Sequence, residues 1–155
     1  MRAFRIVQTR RVATCLDGEG ARRAGGRWNS KGKPVTYTGT NIALCHLEIL
    51  VHMPGTDLTL LPFSIMEVDV PDELVIPLDL SLLPEDWKSP ENAECKRLGD
   101  AWLDAADSVG LLVPSAVVPM ENNLLLNPGH PGFKAVNPLP PLPIHFDPRL
   151  FAGRK

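Results

Sequence analysis

Proline most restricts what this chain can become. It occupies 16 of the 155 positions, roughly twice the usual ~5%. Each proline lacks a backbone N–H and fixes φ near −65°, so it interrupts helices and breaks strand ladders. A chain so punctuated has short elements and stiff, loop-like connections. A helical bundle or a coiled coil is excluded. The length suits one domain over residues 1–155. Hydrophobic residues make up 44% and charged residues 22%, ordinary values for a globular chain rather than a disordered one.

Between the prolines, periodicity marks the elements. Ala3–Gln8 alternates and predicts a first strand. Asp17–Gly26, rich in glycine and charge, reads as a loop. Val35–Tyr37 is β-branched and aromatic, hence a short strand. Thr38–Asn41 offers caps for a helix over Ile42–Met53, which Pro54-Gly55 stops. That helix is apolar around most of its circumference and is expected between layers. Leu60–Val70 predicts a strand with Glu67 and Asp69 on one side and Met66, Val68 and Val70 on the other. Glu73–Leu80 reads as extended. A second helix is expected to start with Ser89 as cap and Pro90 in the first position. Its apolar stripe is Leu98, Ala101, Trp102, Ala105 and Val109, and Gly110 ends it. Leu111–Val113 and Asn123–Leu126 predict short buried strands. Asn127–Gly132 is a rigid loop, and the proline-rich tail ends in a strand near Ile144–Phe146. The fold class is α+β: a single compact domain with a central mixed sheet flanked by helices.

Charge and cysteine usage narrow the function. Sixteen basic and 18 acidic residues leave a formal net charge of −2, which argues against direct DNA binding. Cys15, Cys45 and Cys95 are odd in number, far apart and show no C-x-x-C. Reduced thiols in a cytoplasmic protein are the simpler reading than a disulfide scaffold or zinc ribbon. Arg2, Arg5, Arg10 and Arg11 break the N-terminal apolar stretches, so no signal-peptide core is expected. No run approaches the ~18 apolar residues of a membrane span. His46, His52, His130 and His145 lack metal-site spacing. There is no Walker A loop, Rossmann fingerprint or G-x-S-x-G.

Four features stand out. In Gly25-Gly26-Arg27-Trp28 two glycines permit close backbone approach, and Arg27 offers a planar fork of donors for phosphate or carboxylate. A surface arginine after a flexible turn fits the same residues. Glu48 lies in the apolar helix on a stripe with Asn41, Cys45 and His52. It is either at the solvent seam or aimed into a cleft, since burying it unpaired would cost several kcal/mol or more. Tyr37, the one tyrosine, precedes that helix and is either a core residue or a neighbour of Glu48. Ser115 sits in Pro114-Ser115-Ala116, where a turn former is the plainer reading.

Taken together these segments resemble the RES-domain family, named for its Arg, Glu and Ser. The matching stretches are Gly25–Met53, Pro114–Phe133 and Phe146–Phe151, with Phe4–Ile6 fitting at the start. The resemblance implies a fold like that of ADP-ribosyltransferase toxins. It implies a toxin of a bacterial toxin–antitoxin module that cleaves the nicotinamide–ribose bond of NAD by hydrolysis or phosphorolysis. The implied active-site residues are Arg27, Tyr37, Glu48 and Ser115, with Asn122 as a neighbour on the NAD and Arg5 as a weaker candidate. NAD is then a consumed substrate, and no metal or resident cofactor is required. The implied partner is an Xre-like antitoxin that occludes the active site; a homodimer or a larger toxin–antitoxin hetero-oligomer is also compatible. The chemistry agrees. A fixed carboxylate stabilises oxocarbenium character at the ribose, tyrosine stacks on the cationic nicotinamide, and arginine holds the pyrophosphate. Ser115 suits hydrogen-bond donation better than nucleophilic attack. Two alternatives remain: a mono-ADP-ribosyltransferase acting on a protein, and a non-enzymatic interaction module using Pro138–Pro143 as a polyproline ligand.

Overall fold

The alternation at the N-terminus produces β1 (Arg2–Gln8), which pairs antiparallel along its whole length with β3 (Phe63–Asp69). The computed structural model describes residues 1–151, so the last four residues of the expected 1–155 domain lie outside it. The other strands are β2 (Thr36–Gly39), β4 (Val75–Pro77), β5 (Gly110–Pro114), β6 (Asn122–Leu126), β7 (Asn137–Pro138) and β8 (Leu142–Ile144). They form one sheet in the order β4-β5-β6-β2-β1-β3-β7, with β8 also on β3. The β4–β5 pair is parallel and the rest are antiparallel, so the sheet is mixed. Between β1 and β2 the register is one pair, Phe4 opposite Gly39, so the sheet almost divides there.

Strand alternation sends side chains to two faces. One face carries Ala3, Val7, Met66, Val68, Leu124 and Leu126, closed by Cys15, Val109 and Val136. The other holds two separate cores. α2 (Ile42–His52) covers Ile6, Phe63 and Ile65 through Cys45 and Leu50. α3 (Ala93–Ala105) covers Leu111, Val113 and Leu125 through Cys95 and Trp102, with Trp28 beside them. Tyr37 and Asn123 lie on this face between the two helical covers, opposite Leu125 and Gly39 respectively.

The structure departs from the sequence reading at four places. Within the expected loop, α1 (Glu19–Ala24) forms. Glu19 pairs with Arg22 and Arg23 one turn on, an arrangement that stabilises a short helix and suits its dipole. α2 begins as expected, with Asn41 accepting from the Leu44 amide at 2.8 Å, but it is not sandwiched. Ile42, Leu47 and Val51 are 45%, 43% and 55% exposed, because the sheet covers one side and no layer covers the other. α3 begins at Ala93 with Asn92 as cap, accepting from Glu94 and Cys95; the Glu91 backbone at φ 59° prevents an earlier start from Ser89. It ends in a left-handed Ala106, while Gly110 belongs to β5. Its buried stripe is Cys95, Leu98, Gly99 and Trp102; Ala101 and Ala105 are exposed. Lastly, the final strand is Leu142–Ile144 rather than Ile144–Phe146, while the proline-rich tail is extended as read and closes the sheet through β7 and β8 on β3, with Phe146 buried.

Candidate active site

Glu48 projects from α2 toward β6 and the turn after β5. Its Oε1 accepts from the Ser115 hydroxyl at 2.8 Å and from Asn123 Nδ2 at 2.7 Å. Its Oε2 faces His52 Nε2 at 3.5 Å, one helical turn on. One carboxylate oxygen is therefore fixed and the other is turned to the open side. Burial pushes the Glu48 carboxyl up, but the bonds from His52, Asn123 and Ser115 outweigh it and hold it below the ordinary carboxylate value. Glu48 is an anion at neutral pH, 21% exposed and rigidly held. His52 is raised, first by its bond to Glu48.

Ser115 is completely buried. Its Oγ accepts from the amides of Val117 and Val118, each at 3.1 Å, while its proton goes to Glu48. With donor and acceptor capacity so committed, it orients the carboxylate and closes its own turn, an arrangement unlike that of a nucleophile. Cys45, on the same helix stripe, gives its thiol to the Phe4 carbonyl at 3.2 Å. Burial pushes that thiol up to about 11, so it is inert at neutral pH.

Arg27 lies in the loop whose next residue, Trp28, donates its amide to the Tyr37 hydroxyl. Its Nη1 donates to the carbonyls of Trp87 at 2.7 Å and Ser89 at 2.8 Å, and Nη2 to Lys88 at 3.2 Å. None of the ion pairs among the described residues involves it. Neutral carbonyls orient the guanidinium without cancelling its charge. That charge is felt at Tyr37 and at His52, where it opposes protonation, which ties the two halves of the site together. The Tyr37 hydroxyl donates to Asn29 Oδ1 at 2.8 Å and accepts from the Trp28 amide at 3.0 Å. Burial raises it well above its ordinary value, so it stays neutral; the residue as a whole is half-buried against the α3 core.

Asn122 is exposed, and its backbone carbonyl accepts from Thr40. The asparagine at Glu48 is Asn123. Period two carries the signal: Asn123 shares the face of Leu125 and Tyr37, whereas Asn122 shares that of Leu124. Arg5 lies on the opposite face with Ala3 and Val7. Its guanidinium reaches the Tyr37 carbonyl beside the single β1–β2 pair, in the near-division of the sheet. Its Nε is buried and, among the described residues, has no hydrogen-bond partner. Among the described residues no three His, Cys, Asp or Glu side chains gather as a metal would need.

A carboxylate on one helical cover and, in the loop packed with the other, a guanidinium held by backbone carbonyls thus accompany Tyr37 on one face of the sheet. The sequence profile of the RES domain matches residues 2–147. The chain belongs to the RES-domain family. It is 38% identical over 154 residues to Toxin Res of Photorhabdus laumondii subsp. laumondii, with 98% of each chain covered. It is 41% identical over 152 residues to Toxin Res of Yersinia enterocolitica, covering 97% of this chain and 99% of that one. It is also 35% identical over 139 residues to the Prs ADP-ribosylating toxin of a Sphingobium species, covering 87% and 86%. A chain of the M. tuberculosis MbcT–MbcA toxin–antitoxin complex superposes with a TM-score of 0.75 at 23% identity, covering 99% of this chain and 87% of that one. The α+β fold is therefore the RES fold. Two of the residue types for which the family is named, Glu48 and Ser115, are in direct contact here.

Proposed function

We propose that this chain is the toxin of a bacterial toxin–antitoxin module, and that it consumes NAD by breaking the nicotinamide–ribose bond. The observation that carries the reading is the fixed Glu48 anion, held by Ser115 and Asn123, on the same face as a guanidinium that has no carboxylate partner. Relatives named toxins across nearly the full chain support the toxin role. In this reading Arg27 takes the pyrophosphate and fixes the dinucleotide. The Tyr37 ring stacks on the cationic nicotinamide. Glu48 Oε2 stabilises the oxocarbenium character that develops at C1′ as the bond to nitrogen lengthens. Nicotinamide leaves with the bonding electron pair and becomes neutral. An acceptor oxygen then bonds to C1′ and loses its proton. Water as acceptor gives ADP-ribose; phosphate gives ADP-ribose-1″-phosphate.

The second reading, transfer of ADP-ribose to a protein, draws on the Sphingobium relative, whose name states that activity. The partner is proposed to be an antitoxin, as in the MbcT–MbcA complex. One experiment separates these. The purified chain is given NAD alone, NAD with phosphate, and NAD with a cell extract. Loss of NAD without protein supports hydrolysis, dependence on phosphate supports phosphorolysis, and label on a protein band supports transfer. No NAD loss in any of the three refutes the proposal.

A further inference from the structure

Asn29 is completely buried although it lies in the loop that follows the paired glycines. Its Nδ2 donates to the carbonyls of Ala21 at 2.9 Å, Ser30 at 3.2 Å and Lys33 at 3.0 Å. Its Oδ1 accepts from the Tyr37 hydroxyl. One amide therefore joins α1, the loop itself, the turn before Pro34 and β2. Burying an amide costs free energy unless it is paired, and every polar atom of this one is paired. A fully satisfied buried network of this kind rigidifies the backbone that it ties.

The tied backbone is that of Arg27. On one side, the Gly26 amide donates to the Asn29 carbonyl at 2.9 Å. On the other, the Trp28 amide donates to the Tyr37 hydroxyl that Asn29 holds. A Cβ on Gly26 would lie 2.5 Å from that hydroxyl and 2.9 Å from Asn29 Oδ1, so the constellation requires glycine there. α3 closes over the same loop: the Ser30 amide donates to Asp100 at 2.9 Å, and a Cβ on Gly99 would meet the Trp28 carbonyl at 1.9 Å. The tip of Arg27 rests on the carbonyls of residues 87–89. The cation is thus fixed at its root and at its tip. Fixed charge costs no reorganisation when a ligand arrives.

We infer that Asn29 is a positioning residue for the Arg27–Tyr37 half of the site, acting on substrate binding through the Tyr37 hydroxyl and the Arg27 backbone; this rests on the NAD-cleavage reading. It follows that the Tyr37 hydroxyl is a structural group, and that losing it harms binding more than chemistry. Because pyrophosphate lies away from the bond that breaks, a misplaced Arg27 raises KM before it lowers kcat.

The test compares Asn29→Ala, Tyr37→Phe, the double variant and Val136→Ala, a core truncation on the far face of the sheet. Three quantities are read: the kcat and KM for NAD, the melting temperature, and amide hydrogen exchange over residues 26–31. Asn29→Ala is expected to lower kcat/KM by roughly ten- to a hundredfold, mainly through KM, with faster exchange in that segment. Tyr37→Phe follows in the same direction, and the double variant is less than additive because the two act as one unit. Val136→Ala loses stability but keeps its KM. Wild-type exchange and KM in Asn29→Ala overturn the inference, as does an equal rise of KM in Val136→Ala. If Asn29→Ala does not fold, Tyr37→Phe decides: unchanged exchange and KM overturn the inference. A wild-type chain that cleaves no NAD refutes the NAD reading instead, and the exchange data still report whether Asn29 clamps the loop.

Discussion

At the scale of single residues, Glu48 carries the proposed chemistry. Glu48→Gln keeps an oxygen for Ser115 and Asn123 and removes the charge. The expected outcome is a loss of roughly 10²–10³ in turnover with a nearly unchanged melting temperature; wild-type turnover in the purified variant refutes the assignment. Arg27→Lys keeps a charge but has one nitrogen, so it cannot hold the Trp87 and Ser89 carbonyls and the Lys88 carbonyl together as the two Nη atoms of a planar fork do. Calorimetry in a Glu48→Gln background is expected to show weaker NAD binding than with Glu48→Gln alone. The Glu48–His52 pair makes a pH prediction. Glu48 is held below its ordinary 4.5, so its stabilising share is present above 4.5 and is lost as pH falls through the lower folded value. His52 is held above 6.5, so its share is complete below 6.5 and is lost as pH rises through the higher folded value. The pair therefore contributes most between about 4.5 and 6.5. With His52 largely exposed, its worth is on the order of a few tenths of a kcal/mol. His52→Gln should cost more stability at pH 6 than at pH 9; an equal cost at both pH values in calorimetric melts would show that the pair does not form in solution.

At the scale of elements, two glycines with opposite surroundings give a paired prediction. Gly99→Ala forces a methyl group into the Trp28 carbonyl, and backbone cannot yield as a side-chain tip can. A loss of about 1–3 kcal/mol or more is expected in urea unfolding. Gly20→Ala, inside α1 with nothing within 4 Å, should instead gain about 0.5–1 kcal/mol. The same elements show what the sequence carried. β1 and β3 were legible from their two-residue period, β5 and β6 from their short apolar runs, and α2 from its Asn41 cap and Pro54-Gly55 stop, although its nearly all-round apolar surface hid that one side, with Ile42, Leu47 and Val51, is exposed. α1 was not, because its support comes from Glu19–Arg22–Arg23 pairing within a glycine-rich stretch. The start of α3 was not, because Asn92 competes with Ser89 as cap and a left-handed Glu91 decides between them. In the site, Arg27, Tyr37, Glu48 and Ser115 stood out by residue type and resemblance. Asn29 and Asn123 did not, because their roles lie in hydrogen bonds to residues distant in the chain or across the sheet.

At the scale of the whole molecule, the division of one sheet face between two helical covers decides how the activity can be restrained. α2 brings Glu48 and the loop packed under α3 brings Arg27, with Tyr37 on the strand between them. The loop under α3 is tied by Asn29 and Asp100. α2 is anchored by the Asn41 cap and by Leu50 in the core. Neither half has an evident hinge through which a distant ligand could open or close the site, and coupling between remote sites needs two such arrangements. The proposed antitoxin is therefore expected to restrain this chain by covering the face between α2 and α3 directly. With a net charge of −2 on this chain, any operator contacts of such a complex are expected to come from the partner. The prediction is competition: NAD should slow antitoxin association with the Glu48→Gln variant, and the assembled complex should consume no NAD. A complex that binds NAD as tightly as the free chain while remaining inactive would show control from a distance, and would require a second conformation of one of the two halves.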